Sequence, residues 1–409
     1  MIQEKYRIKE TFRLAGIPGY LLIGYYIIQF AFARAKTDMA AVDASAVVFA
    51  LYALGCGLYS FHLLYKGSNK WFFNWAFQES PIKWFGLYTL LCFVSSLWSS
   101  MVVLSAYRAV ECLGLLLLNM AVICTLIHRC TFHQVMLWSV TYAFLNVLLT
   151  FGVGLTLSLD YALYKSQFPS TIFFYLAFYL APTRYIKYPM MVVAFLCRSV
   201  TGYVGMALGM CSLMFGNRRY KILGIVLGTG IVIATSTMGV EDFLNQTIFA
   251  SKGGVIVDGH VDENKTSGRM SVWENTNKIM ESQGKQWTGS GFTVGEMMIA
   301  RKLNGTGAVI GMHNGFLSAY VGTGYIGLLL FSLFMLSVVR LALKNHIPKE
   351  YKAVLIACIC VVLLHTYGNP GLGFRVYGTW MPAIFVIMLM VGAEYKSKIL
   401  NQDLNEVDS

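Results

Sequence analysis

The stretch AVECLGLLLLNMAVICTLI, Ala109–Ile127, decides the fold class. Apart from Glu111 it carries no charge, and as a helix it is long enough to cross the ~30 Å hydrocarbon core of a bilayer. Further runs of this kind lie at Leu14–Ala33, Ala44–Tyr65, Trp84–Val103, Val135–Leu155, Ile222–Met238, Tyr325–Leu343, Ala353–Tyr367 and Gly378–Val391. Phe168–Pro182 is shorter. Tyr188–Phe215 is too long for one crossing and reads as two helices joined by a tight turn at Arg198. The expectation is an all-α polytopic membrane protein of about twelve spans.

Composition agrees. The 409 residues are 56% hydrophobic and 13% charged, with a mean hydropathy of +0.59; soluble domains carry about 25% charged residues. The formal charge of +12 would suit nucleic acid, but the basic residues sit in short loops between apolar runs, so no nucleic-acid partner is expected. The nine cysteines lie almost wholly in apolar segments. That argues against a disulfide framework, and Cys358-x-Cys360 reads as packed or lipid-facing, not metal-binding. Lys5, Arg7, Lys9 and Arg13 precede the first run and no small-residue cleavage site follows it, so that run reads as an anchor and not a signal peptide.

Lysine and arginine in short loops set the orientation. With the N-terminus inside, the inner loops hold Lys66, Lys70, Lys83, Arg129, Arg184, Lys187, Arg218, Arg219, Lys221, Arg340, Lys344, Lys349, Lys352, Lys396 and Lys398. The short outer loops hold only Arg34, Lys36, Arg108, Lys165, Arg198 and Arg375. This bias puts the polar stretch Gly239–Ala308 outside and both termini in the cytoplasm. The chain divides into a transmembrane block over 1–238, an outer loop with short helices over 239–324, three spans over 325–394 and a cytoplasmic tail over 395–409. The tail segment Gln402–Ser409 is polar and reads as disordered.

Two segments of the outer region have a helical reading. In GMHNGFLSAYVGTGYIG, Gly311–Gly327, the pair Gly322 and Gly324 predicts a helix break, with a short helix before it feeding into the span. In SGRMSVWENTNKIMES, Ser267–Ser282, Arg269, Trp273 and Met280 recur at near-helical spacing behind Ser267 as a candidate N-cap.

Ionisable groups in or beside spans are costly and mark function or anchoring. Arg198 reads as a functional cation or as an interfacial arginine snorkelling to lipid phosphates. Arg269 in a polar segment, His313 beside Asn314, and Arg375 beside Tyr377 and Trp380 carry the same two readings. Arg108 and Glu111 stand one helical turn apart and can pair. Walker A, dinucleotide, HExxH, Ser-hydrolase and Asp-x-Asp patterns are missing, so no cofactor and no metal are expected. The outward cations around one histidine suit a diphosphate leaving group. Guanidinium forks pair with phosphate oxygens, and a neutral imidazole can take a hydroxyl proton.

These elements resemble the bacterial O-antigen polymerase and ligase family. The resemblance rests on Arg198 between two helices, Ser-Gly-Arg269-x3-Trp273, Gly-Ser-Gly-Phe292, His313-Asn314-Gly-Phe-Leu317, and Gly324-x2-Gly327. Ser95-Ser-Leu-Trp98-Ser99 is similar to that family's early Ser/Trp element, and Arg375 to its basic residue before the final helix. The chain departs from the pattern at Cys197-Arg198-Ser199, where Ser-Arg-Gly is commoner. The resemblance implies an outer-face glycosyltransferase of the inner membrane that is inverting and metal-independent. Its donor would be an undecaprenyl-diphosphate-linked glycan, and its acceptor another glycan or lipid A-core. It further implies that Arg198 and Arg269 grip the diphosphate, that His313 acts on the acceptor hydroxyl, and that Asn314, Arg375 and Trp273 help bind substrate. Polymerase and ligase both remain open, and a flippase for the same lipids is the reading from another class.

Overall fold

A computed structural model of the chain describes residues 13–31, 44–156, 159–178, 209, 211, 256–257, 260–261, 269–304, 314–344, 347–368, 371–374 and 381–407. The described residues are almost wholly helical. In chain order the helices are α1 (Gly16–Ala31), α2 (Ala44–Tyr65), α3 (Asn69–Glu79), α4 (Ile82–Val94), α5 (Val102–Arg129), α6 (Phe132–Leu155), α7 (Leu159–Phe178), α8 (Arg269–Ser282), α9 (Val294–Asn304), α10 (Gly315–Leu343), α11 (Lys349–Gly368), α12 (Gly371–Phe374) and α13 (Met381–Val407). A two-residue ribbon pairs Ile256–Val257 with His260–Val261, antiparallel.

Among the described residues, four helices are long and apolar enough to cross a membrane: Ala46–Tyr65, Val102–Arg129, Phe132–Leu155 and Gly315–Leu343. Their surroundings differ as they do in a lipid solvent. The middle of α5 is buried on all sides, from Leu115 to Ile127 save Leu117. By contrast α2 turns Leu51, Leu54, Leu58 and Phe61 outward, with Leu51 63% exposed. In water such a patch drives association; in hydrocarbon it costs nothing. Polar side chains inside the helices return their hydrogen bonds to the preceding turn, as in Thr89 to Phe85 O, Thr125 to Ala121 O and Ser139 to Val135 O. Backbone and hydroxyl groups in hydrocarbon have no water to turn to. Small residues let α2 and α5 approach closely: Gly57 and Gly114 face each other where the helices cross, and a Cβ at Gly114 would collide with the Ala53 carbonyl.

Two expectations need correction. Trp84–Val103 is not one span. Helix α4 ends at Val94, a 3₁₀ turn occupies Ser95–Trp98, and Val102 already opens α5. Serines at 95, 96, 99 and 100 compete with the helix for backbone partners: Ser95 and Ser96 donate to Cys92 O and Phe93 O. The tail is also not structureless, because α13 runs on to Val407. Other expectations hold. Gly324 breaks α10, with φ 71° and ψ −166°; Cys358 is buried in the core; Arg108 pairs with Glu111 at 2.7 Å. The spans expected at Tyr188–Phe215 and Ile222–Met238 lie outside the described residues, apart from 209 and 211.

The bundle has two distinct ends. At one, Lys396 Nζ caps the last carbonyls of α5 through Ile127 O (2.7 Å) and Cys130 O, Lys398 meets Glu79 at 2.6 Å, and Lys344 approaches the buried Glu394 at 3.4 Å. At the other, α9 packs Val294 and Met297 on Ala46, Leu104 and Tyr107, which open α2 and α5.

Candidate active site

At the end opposite Lys396 and Lys398, three segments meet. The kink at Gly324 interrupts the hydrogen-bond ladder of α10 and frees the carbonyls before it. The loop between α8 and α9 takes them up: Ser290 N donates to Val321 O (2.9 Å) and Gly291 N to Gly322 O (3.0 Å), while Tyr325 N donates to Gln286 O (2.8 Å). Only glycine fits this seam. A Cβ on Gly324 would fall on the Trp287 carbonyl, and one on Gly291 would fall on the side chain of Ser99. Both residues also have positive φ. The third segment is the Ser95–Trp98 turn. Ser95 Oγ accepts from Phe292 N (3.0 Å), and Trp98 Nε1 donates to Thr288 O (2.9 Å). Phe292 itself is fully buried, edge-on to Tyr88. Elements almost two hundred residues apart in sequence, which the motif reading grouped only by resemblance, are thus in direct contact.

The start of α10 lies in the same region. Asn314 is its N-cap, in extended conformation, and its Oδ1 accepts from Phe316 N (2.9 Å) and Leu317 N (3.1 Å). One turn on, Ser318 Oγ lies 2.6 Å from Glu296 Oε2 and 2.9 Å from the Asn314 carbonyl. The short helix α12 closes from the other side. Gly373 packs so tightly on the Gly315 carbonyl that no Cβ would fit, and Tyr88 Oη donates to Gly373 O at 2.6 Å. The residue two places before Arg375 therefore touches the residue two places after His313.

Helix α8, which Arg269 opens, docks on the same side of α10. Met280 is buried with Ile299, Tyr320 and Val321, and Tyr320 Oη donates to Asn277 Oδ1 at 2.9 Å. Of the residues singled out from sequence, Asn314 is described in full. Arg269 and Trp273 are described as helix positions without their side chains. Arg198, His313 and Arg375 lie outside the described residues.

Sequence reasoning missed the Glu296–Ser318 contact. Thr293-Val-Gly-Glu296 is a capping-box pattern and gives no sign that one carboxylate oxygen reaches another helix. It also undervalued the Arg108–Glu111 pair, which Tyr25 Oη extends to Glu111 Oε1 (3.0 Å) and the Tyr107 ring supports from beneath the guanidinium (4.5 Å).

No curated protein matches the chain. Residues 188–332 match the family model Wzy_C, described as O-antigen ligase. That stretch includes Arg198, Arg269, Trp273, the Gly289–Phe292 loop, His313, Asn314 and the kink of α10. The apolar helices make the chain an integral membrane protein, and the match over residues 188–332, similar to the polymerase and ligase family its motifs resemble, supports a membrane enzyme of polysaccharide assembly.

Proposed function

We propose that this protein is a glycosyltransferase on the outer face of the bacterial inner membrane, a Wzy-type polymerase of undecaprenyl-diphosphate-linked oligosaccharide repeat units. One observation carries the reading. The Ser95–Trp98 turn, the Gly289–Phe292 loop and the Asn314-capped start of α10 are hydrogen-bonded or packed together at the end of the bundle opposite Lys396 and Lys398. Catalysis by positioning and preorganised charge needs such a rigid frame.

In the proposed reaction the hydroxyl of one repeat unit attacks the anomeric carbon of the glycan on its lipid carrier. The C–O bond to the diphosphate breaks with inversion, and undecaprenyl diphosphate departs. His313 takes the hydroxyl proton. Arg198 and Arg269 hold the departing diphosphate, a role in which a planar guanidinium excels. Asn314, Arg375 and Trp273 contribute to substrate binding, and no metal or cofactor takes part. The matching family, O-antigen ligase, favours a second reading, in which the same donor is transferred to lipid A-core.

The test is turnover in vesicles. Purified protein given lipid-linked repeat units should release undecaprenyl diphosphate and build a ladder of longer glycans. Release only when lipid A-core is added identifies the ligase. Movement of the lipid with no release identifies a flippase and removes the enzyme reading. Arg198→Lys, in normally inserted protein, should lower turnover by about thirty- to a thousandfold, equivalent to about 2–4 kcal/mol in the transition state. Wild-type turnover in that variant would return Arg198 to a snorkelling role.

A further inference from the structure

Glu296 is 3% exposed and sits in the first turn of α9, where the helix dipole favours a carboxylate. Its Oε2 lies 2.6 Å from Ser318 Oγ on a different helix. That hydroxyl also lies 2.9 Å from the carbonyl of Asn314, which already receives the Ser318 amide at 2.9 Å. A hydroxyl has one proton to give. With the Asn314 carbonyl supplied by an amide, the shorter contact to Glu296 is the one that fixes the Ser318 rotamer. Glu296, Ser318 and the Asn314 cap therefore form one buried unit, and the residue covalently joined to that cap is His313.

The loop that delivers Glu296 is held under strain. Thr293, three residues before it, has φ 64°. A β-branched residue in the left-handed region costs on the order of 1–3 kcal/mol and persists only where its surroundings over-determine it. The surroundings here are the Phe292–Ser95 bond and the seam to the α10 kink. Glycine or asparagine at 293 would relieve the strain, yet the chain keeps threonine and directs the carboxylate under the start of α10.

Resting on the glycosyltransferase reading, we infer that Glu296 is a positioning residue which, through Ser318, fixes Asn314 and the start of α10, the residues that follow His313 in the chain, for attack by the acceptor hydroxyl. It touches neither substrate in this role. It anchors the backbone to which His313 is joined, and misplacement of a reacting group by about 1 Å costs on the order of a hundredfold in rate.

The experiment compares Glu296→Ala, Glu296→Gln, Ser318→Ala and the double Glu296→Ala/Ser318→Ala variant in vesicles. Two readouts are taken: steady-state turnover, and hydrogen exchange of the peptide covering residues 311–320. Glu296→Ala and Ser318→Ala should each lower kcat by about tenfold to a hundredfold with KM for the lipid-linked donor within about twofold. The double variant should be no slower than the slower single, because the two side chains act as one unit. Glu296→Gln keeps an oxygen for Ser318 and should recover most of the rate. Exchange at the start of α10 should rise in both alanine variants and not in Glu296→Gln. Unchanged exchange, or kcat losses that simply multiply in the double variant, would overturn the inference. A wild-type protein without turnover would sink the glycosyltransferase reading instead, and the exchange experiment would still decide whether Glu296 holds the start of α10.

Discussion

The two ends of this bundle are built by different chemistry. At the basic end the helices meet through long side chains: Lys398 to Glu79 and to the Trp75 ring, Lys396 to the carbonyls that end α5, and Tyr395 against Phe72. At the opposite end the α8–α9 loop meets α10 through backbone, with glycines at 289, 291 and 324 leaving no room for a side chain. Flexible side chains in a wet boundary give an adjustable joint. Backbone amides in a glycine seam give a fixed one, and a fixed joint is where preorganised chemistry can reside.

Topology offers the all-or-none way to break this comparison. With an impermeant thiol reagent, Ser282→Cys should label in intact cells and Lys349→Cys only after the cells are opened. The reverse pattern would put the glycine seam in the cytoplasm. Next in size is Gly324→Ala. The residue needs φ 71° and stands against the Trp287 carbonyl, so the substitution should cost on the order of 3 kcal/mol. Unfolding in detergent micelles should show the loss, and turnover should fall with it. Trp98→Phe is milder. It removes the donor to Thr288 O, and the freed carbonyl can find water, so about 1 kcal/mol or less is expected.

Smallest of all is Glu79→Gln at the basic end, at no more than about 0.5 kcal/mol, because the pair with Lys398 is largely solvated. Its pH dependence has a definite sign. The hydrogen bond from Lys398 holds the Glu79 carboxyl below the usual carboxylate range. The small stabilisation is therefore present above the ordinary glutamate value and is lost as pH falls through the depressed one. Stability near neutral pH should not change with this pair, and added salt should erase the difference from Glu79→Gln. A cost at Glu79 comparable with that at Gly324 would end the distinction between the two ends.

Most of the helices were legible because hydrophobic run length is a local property. Ala44–Tyr65 is a helix with the same limits that its composition marks. The break at Gly324 was legible too, since Gly-Thr-Gly is a local signal. The interruption after Val94 was not. Leu97, Val102 and Val103 are apolar enough to continue a span, and what ends the helix is a set of serines whose hydrogen bonds turn back on the chain or accept from the distant Phe292 amide. The helical run beyond residue 395 was missed for a related reason. Polarity alone argued for a free tail, while Lys396 and Lys398 have partners on α5 and α3.

By itself the sequence determined that this chain lives in a membrane, where its helices lie along the chain, and which residue types could meet a diphosphate. Those properties follow from solvent transfer and from the chemistry of single side chains, and both are read residue by residue. Only the tertiary structure decided that Ser95 and Trp98 hold the Gly289–Phe292 loop, that Gly373 rests on Gly315, and that Glu296 reaches Ser318. Each of these joins segments separated by at least twenty residues. A contact of that kind depends on how helices cross and where their ladders break, which no local pattern of residues encodes.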